Sequence, residues 1–336
     1  MATIREVAAK AGVSIATVSY VLNDSRRVRP QTEQRVLWAA KELGYAPNVA
    51  ARSLVSGRSS IVGLVVPDIG NPFFPEITKA FQEAAGMAGL EAMVMNTNYD
   101  EQRTRHSVER LVSLQVPGAA FLTSQVGRDV RESLAARGIS AVYLDHGVAG
   151  DHISCIALDY AHGIQSAAAH LLELGHRRIG FIGGPAQGSS AQLRKQAFLE
   201  AASRAGTVDA KAIDSDFSVQ GGYFSCAKLL KVFPATALVA ANDLMAIGAL
   251  HCAYDRQISV PAQLSIIGFD DITFAQFTQP ALTTVAVPRT EVGRLAFEAL
   301  HALITNPGRG VEYEVKTSLI VRQTTARPAP DDKVEA

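Results

Sequence analysis

The sequence predicts a three-helix head followed by a two-lobed α/β body of parallel sheets, and three observations carry that expectation. Within residues 1–45, apolar residues recur at helical spacing in three short segments. From residue 61 onward, short continuous apolar runs alternate with helical stretches, and this rhythm starts over near residue 155. Charge divides at the same place: the 336-residue chain is formally neutral, yet residues 1–60 hold nine Lys/Arg against four acids, leaving the remainder at a net −5. A basic head on an acidic body suits contact with a polyanion.

Composition narrows the class. With 48% hydrophobic and 19% charged residues the chain reads as globular, and its length predicts more than one domain. No run of about eighteen apolar residues occurs, so no membrane span is expected. The start MATIREVAAKAG lacks an apolar signal core, which predicts a cytoplasmic protein. Cys155, Cys226 and Cys252 lie far apart without metal-ligand spacing, so they are expected to be reduced structural thiols, with no metal and no cofactor.

In the head, Thr3 is a good N-cap for IREVAAKAG, where Ile4, Val7, Ala8 and Ala11 share one face and Gly12 ends the helix. Ser14 then caps a second helix that turns Val18, Val21 and Leu22 inward and Ile15, Ala16, Ser19 and Tyr20 outward. A third helix is expected from Thr32, as cap, to Leu43, burying Val36, Leu37, Ala40 and Leu43 before Gly44. Three short helices with a glycine turn between the first two follow the helix-turn-helix plan, whose second helix enters the major groove.

The stretches TIREVAAKAGVSIATVSYVLN and GYAPNVAARSL, in this order and spacing, closely resemble the DNA-binding head and hinge of the LacI/GalR family of bacterial transcription regulators. The resemblance implies a DNA-binding domain over residues 1–46 and a hinge helix with linker over 47–60. It implies a DNA-facing set of Thr3, Ser14, Ile15, Ala16, Thr17, Ser19, Tyr20, Asn23, Arg29, Asn48, Ala51, Arg52 and Leu54. Within that set, Leu54 matches a leucine that wedges into the minor groove. Alone, NVAARSL is too short to hold a helix, so the hinge is expected to form conditionally. Ile15 and Ala16 have almost no hydrogen-bonding capacity, but thymine methyls are read by apolar contact. Ser14, Thr17, Ser19 and Asn23 are then assigned to capping or phosphate contacts, which set register.

The body begins with IVGLVVP, a helix through ITKAFQEAAGMAG, AMVMN, a helix from Glu101, GAAFLT, a helix through VRESLAARG, and AVYLD. IALD, RRIGFIGG, TALVAA and LSIIGF continue the pattern, again separated by helices. Continuous apolar strands of this kind belong to parallel sheets covered on both faces. Ligands in open α/β sheets sit beyond the carboxyl ends of the strands. That rule collects Asp68, Asn71, Phe73, Phe74, Asn96, Asp100, Thr123, Ser124, Asp145, residues 189–194, Asp216, Phe217, Asn242, Asp243, Asp270 and Asp271. Carboxylates, amides, one arginine and aromatic rings suit a polyhydroxylated ligand, although any single Asp or Asn there also serves to cap the next helix.

Family resemblance continues through DIGNPFF, GHRRIGFIGGP, ANDLMAIGAL, SIIGFDD and PALTTV, and so covers nearly the whole chain. It implies a periplasmic-binding-protein-like body over 61–326, with an N-lobe of about 61–158 plus 288–318 and a C-lobe of about 159–287 plus 319–326. Residues 327–336 are expected to be a flexible tail. It also implies that Asn71, Phe73, Phe74, Asp145, Ser190, Arg194, Phe217, Asn242 and Asp270 bind the effector, with Asp145 the weaker match. Purine-binding members carry an arginine shortly before this arginine's helix, where Gly188 and Ser189 stand here, so a sugar is expected. The implied protein is a regulator, in all expectation a repressor, acting as a homodimer on operator DNA under control of a small molecule. Two other classes fit less well. An enzyme would need a nucleophile or nucleotide motif, and GFIGGPAQGSS matches neither G-x-G-x-x-G nor the P-loop. A periplasmic sugar-binding protein would share the cleft but not the basic head.

Overall fold

The computed structural model describes residues 2–23, 28–45, 59–123, 126–206 and 208–330. It divides the chain into two compact units, Met1–Ser60 and Ile61–Ala336.

In the first unit, α1 (Ile4–Ala11) opens with a capping box in which Glu6 N donates to Thr3 Oγ1 and Thr3 N donates to Glu6. It stops at Gly12, whose φ of 64° is the left-handed conformation that glycine adopts without a Cβ penalty. Helix α2 (Ile15–Asn23) starts where Thr17 N donates to Ser14 Oγ at 3.1 Å. Helix α3 departs from expectation: it spans Pro30–Glu42, with Arg29 at the N-cap and Pro30 at the first position, so Thr32 is inside it and caps nothing. Proline's fixed φ and missing donor suit that first turn. Leu37 is 49% exposed and does not enter the core, because the packing face runs through Val36, Ala39 and Ala40 and Leu37 lies about 100° away from Val36 around the helix.

Among the described residues, the second unit contains two six-stranded sheets. The first has the order β11-β5-β4-β3-β1-β2, formed by β1 (Ile61–Val66), β2 (Glu91–Asn96), β3 (Gly118–Phe121), β4 (Ser140–Leu144), β5 (Ile153–Leu158) and the late strand β11 (Glu312–Val315). All its pairings are parallel. The second has the order β12-β10-β9-β8-β6-β7, from β6 (Arg178–Ile182), β7 (Asp209–Ile213), β8 (Ala237–Ala240), β9 (Ser265–Asp270), β10 (Thr283–Ala286) and β12 (Ser318–Ile320). Only β12 runs antiparallel, against β10. The chain passes between sheets three times, after β5, after β10 and after β11. Helices α4 (Phe73–Met87), α5 (Glu101–Ser113) and α6 (Arg128–Ala135) belong to the first block, and α7 (Tyr160–Glu173), α8 (Ser189–Ala205), α9 (Val219–Val232) and α10 (Asp243–Asp255) to the second. Helix α11 (Arg289–Thr305) returns to the first sheet and packs on α4, with the Phe81 and Phe297 ring centroids 5.6 Å apart.

Helices α9 and α10 meet almost backbone to backbone. A Cβ on Gly222 would lie 2.3 Å from the Met245 carbonyl oxygen, and one on Gly248 would lie 2.0 Å from that of Val219. Neither obstacle is a flexible side chain, so the helices themselves would have to separate. Gly248→Ala is therefore expected to lower stability by about 3 kcal/mol in urea unfolding, and a loss under about 0.5 kcal/mol would mean the seam is looser than this.

Candidate functional site

The nine residues expected around an effector, Asn71, Phe73, Phe74, Asp145, Ser190, Arg194, Phe217, Asn242 and Asp270, all line one cavity between the two sheets' carboxyl ends. Thr123 and Ser189 join them. The space enclosed between these side chains is small, about 60 Å³. Strand ends overcollect, as the capping rule warns. Asp100 caps α5 through Arg103 N, Asp216 accepts from Ser218, Asp271 pairs with Arg322, and the buried Asp243 takes bonds from Thr284 and from Ile272 N. Asp68 and Asn96 lie outside the cavity lining, holding Gly70 N and Ile69 N, and Ser124 lies outside the described residues.

Arg194 is the centre of the arrangement. Only 5% exposed, its guanidinium stacks over Tyr160 at 4.3 Å and Phe269 at 4.6 Å, and Nη1 donates to the Ala241 carbonyl at 2.7 Å. Nη2 stands 3.8 Å from Asp270 Oδ1, close enough for an ion pair but too far for a hydrogen bond. Among the described residues, Arg194 Nε, Asp270 Oδ1 and Ser189 Oγ are buried without a partner. Three such atoms on the wall of one cavity are costly unless something polar occupies it. A hydroxyl group fits, since it accepts from the arginine and donates to the carboxylate.

Asp270 and Asp145 are both held above the ordinary carboxylate range by burial. For Asp270 the carboxyl is pushed up to about 7 against the opposing pull of Arg194 and Arg289. For Asp145 it is pushed up to about 6, against bonds from Tyr160 and Leu158 N. Those two bonds occupy both Asp145 oxygens, so Asp145 acts first as the anchor of Tyr160. Asn242 is similarly engaged: Oδ1 caps α10 through Met245 N, and Nδ2 donates to the Phe217 carbonyl at 3.0 Å. That bond holds Phe217 at φ 66°, with its ring in space left by Gly184, where a Cβ would fall 2.2 Å from it. Tyr99, Asp145, Phe217 and Asp270 all line the cavity with positive φ. Strain of roughly 1–3 kcal/mol each is the kind that binding sites retain.

Side chains outside the cavity lining tie the lobes together. Glu76 of α4 accepts from Thr273 beyond β9 and from Arg289 Nε, both at 2.8 Å, and Arg289 also donates to the Asp270 carbonyl. Sequence reading missed Tyr99 and Tyr160. Tyr99 falls between Asn96 and Asp100, both of which the strand-end rule collected, and a rule that admitted aromatic hydroxyls would have found it.

The helix-turn-helix surface belongs to the first unit. Ile15 is 46% and Tyr20 50% exposed, and Ala16 is exposed beside them, whereas Thr17 and Ser19 are half-buried. Ser14 and Thr17 hydroxyls bond each other at 2.9 Å, and Thr3 is taken up in its capping box. Arg29 is exposed before α3, and Asn23 is the last residue of α2. The hinge and its Asn48, Ala51, Arg52 and Leu54 lie outside the described residues, as does the tail from 331.

Comparison with known proteins adds relatives over nearly the whole length. Residues 3–48 match the model for bacterial regulatory proteins of the lacI family, and residues 168–325 match a periplasmic binding protein-like domain. The chain is 36% identical to the HTH-type transcriptional regulator DegA of Bacillus subtilis, over 87% of this chain and 88% of that one. It is 33% identical to the ribose operon repressor of Escherichia coli, over 91% and 94%. Among solved structures, the lac repressor dimer bound to operator and the anti-inducer ONPF superposes with a TM-score of 0.84 at 26% identity, covering 97% of this chain and 99% of that one. A LacI family regulator from Enterococcus faecium with bound ribose gives 0.73 at 28% identity, covering 80% and 100%.

Proposed function

The chain belongs to the lacI family of bacterial regulatory proteins and is a DNA-binding transcription regulator with an effector-binding body, and on that premise we propose that it is a cytoplasmic, homodimeric repressor controlled by a sugar. It is read as having no enzymatic role, since the relatives are regulators. One observation carries the sugar assignment: the buried Arg194 and Asp270 line the cavity and each keeps a hydrogen-bonding atom without a partner, beside the Phe217 ring and several hydroxyls and amides. Vicinal hydroxyls use such a donor and acceptor pair, and the aromatic ring covers the apolar face of a pyranose or furanose. Ribose leads the candidates, because a ribose operon repressor and a ribose-bound regulator are among the relatives. Titration calorimetry over a panel of pentoses and hexoses, with a purine base included, tests this. Saturable binding to the purine alone would sink it.

In this reading the nine cavity residues bind the effector, and the lobes close on it, held by the bonds from Thr273 to Glu76 and from Arg289 to the Asp270 carbonyl. The ligand must bind the two lobe arrangements with different affinity, since equal affinity shifts nothing. Residues 1–46 form the DNA-binding domain, 47–60 the hinge, and 61–326 the effector-binding and dimerisation domain. Two heads would occupy successive major grooves of a roughly palindromic operator, with Leu54 at the central minor-groove step.

The DNA half has its own test. Replacing operator thymines by uracil removes only methyl groups, so contacted positions should weaken binding by about tenfold if Ile15 and Ala16 read them. Leu54→Ala should weaken operator binding and leave sugar affinity unchanged. Gel retardation with the DNA upstream of the protein's own gene measures both, and failure to bind it at low salt under every ligand condition would overturn the regulator's proposed target.

A further inference from the structure

We propose that Cys226 and Cys252 are an oxidisable thiol pair, a modification site for hydroperoxides that closes to a disulfide across the seam between α9 and α10. In sequence the two are far apart, and nothing in their spacing suggests a pair. The fold brings them together through glycine. Gly222 and Gly248 let α9 and α10 touch backbone to backbone, and each cysteine stands four residues beyond its glycine, one turn further along the same face. The two thiols consequently become neighbours across the seam, with Cys226 Sγ 3.9 Å from the carbonyl oxygen of Ala249, three residues before Cys252. Both are free and fully buried.

The two thiols are not equivalent. Cys226 lies in the middle of α9, and the neighbouring Cys252 thiol together with burial pushes its thiol well up. Cys252 sits in the last turn of α10, where Arg256 Nη1 is 3.0 Å from its Sγ. The neighbouring Cys226 thiol lowers the Cys252 thiol, and the Arg256 guanidinium adds to that, against burial and the carboxylate of Asp255. Arg256 is itself an exposed residue, so a displacement of one surface side chain uncovers Cys252 to an oxidant of water's size. Larger disulfide reagents are excluded by the same packing.

The chemistry closes without another reactant. Cys252 thiolate attacks one peroxide oxygen; the S–O bond forms, the O–O bond breaks, and hydroxide leaves as water. The Cys226 thiol, losing its proton, then attacks the sulfenic sulfur; the S–S bond forms and the S–O bond breaks to give a second water. Two thiols are oxidised by two electrons and the peroxide is reduced to two waters. The pair lies outside the ligand cavity, but α9 and α10 begin beside Phe217 and Asn242, so the crosslink joins the two helices that follow these cavity residues.

The test uses the full-length protein treated with hydrogen peroxide, quenched with an alkylating agent and digested for mass spectrometry. Expected is a peptide pair joined through Cys226 and Cys252, forming about tenfold or more faster than any oxidation of Cys155, whose thiol burial holds up at about 11. Oxidised glutathione should act far more slowly than peroxide. Cys226→Ala should leave Cys252 as a sulfenic acid that dimedone traps once the protein is unfolded in the quench. The wild-type peptide map needs no variant to fold. Equal oxidation of all three cysteines, or oxidation of Cys252 to sulfinic acid with no disulfide in the wild type, would overturn the proposal.

Discussion

Arg194→Ala is expected to weaken sugar binding by about a hundredfold or more and to leave operator affinity unresponsive to the ligand. Two charge-assisted hydrogen bonds at about 1.5–3 kcal/mol each would account for that loss. The substitution also removes the bond to the Ala241 carbonyl and the stacking on Tyr160 and Phe269, so a lower melting temperature accompanies it. Asp270 loses its nearest cation, and burial then keeps that carboxyl neutral at pH 7. Arg194→Lys separates packing from recognition. Lysine keeps a positive charge beside Asp270 but has no planar fork, so it should recover part of the stability and little of the affinity. Calorimetric titration with the responsive sugar reads the first effect, and gel retardation with and without sugar reads the second. A variant that folds and still answers to its ligand with near-normal affinity would remove Arg194 from the site.

The α/β architecture was legible because its strands are continuous apolar runs and its helices carry clear stops, and the same strand ends pointed to the cavity. Nothing in one sequence separates a strand-end carboxylate that faces a ligand from one that caps a helix. Asp270 and Asp271 are neighbours, yet one lines the cavity and the other pairs with Arg322, because the backbone turns through positive φ at both. Leu37 was misread for a related reason. Apolar residues at 36, 37, 39 and 40 fit two adjacent helix faces, and only the packing of α1 and α2 chooses the one with Val36, Ala39 and Ala40. The thiol pair was invisible because helix contact through glycine leaves no periodic signature in either helix.

Sugar affinity is expected to rise with pH through neutrality, and Asp270 is the reason. A ligand hydroxyl that donates to this carboxylate favours its charged form. With the carboxyl pushed up to about 7, binding at lower pH must first expel its proton. Affinity should therefore fall by up to about tenfold for each pH unit below that value, and level off above it. The empty protein behaves in the opposite sense. Its Asp270 holds a proton over a window in which the unfolded chain, with a carboxyl near 3.8, has already lost it. The native state then binds more protons than the unfolded one, so stability without ligand declines as pH rises from about 4 to about 7. Asp145, raised to about 6, adds to that decline in the same direction over the lower part of the window. The increase in melting temperature on adding sugar should consequently grow as pH rises across the window. Asp270→Asn removes the titration while keeping an acceptor oxygen, so its pH dependence of sugar affinity should flatten. A wild-type affinity that is level across this range, or one that strengthens on acidification, would mean that the ligand does not engage the Asp270 carboxylate.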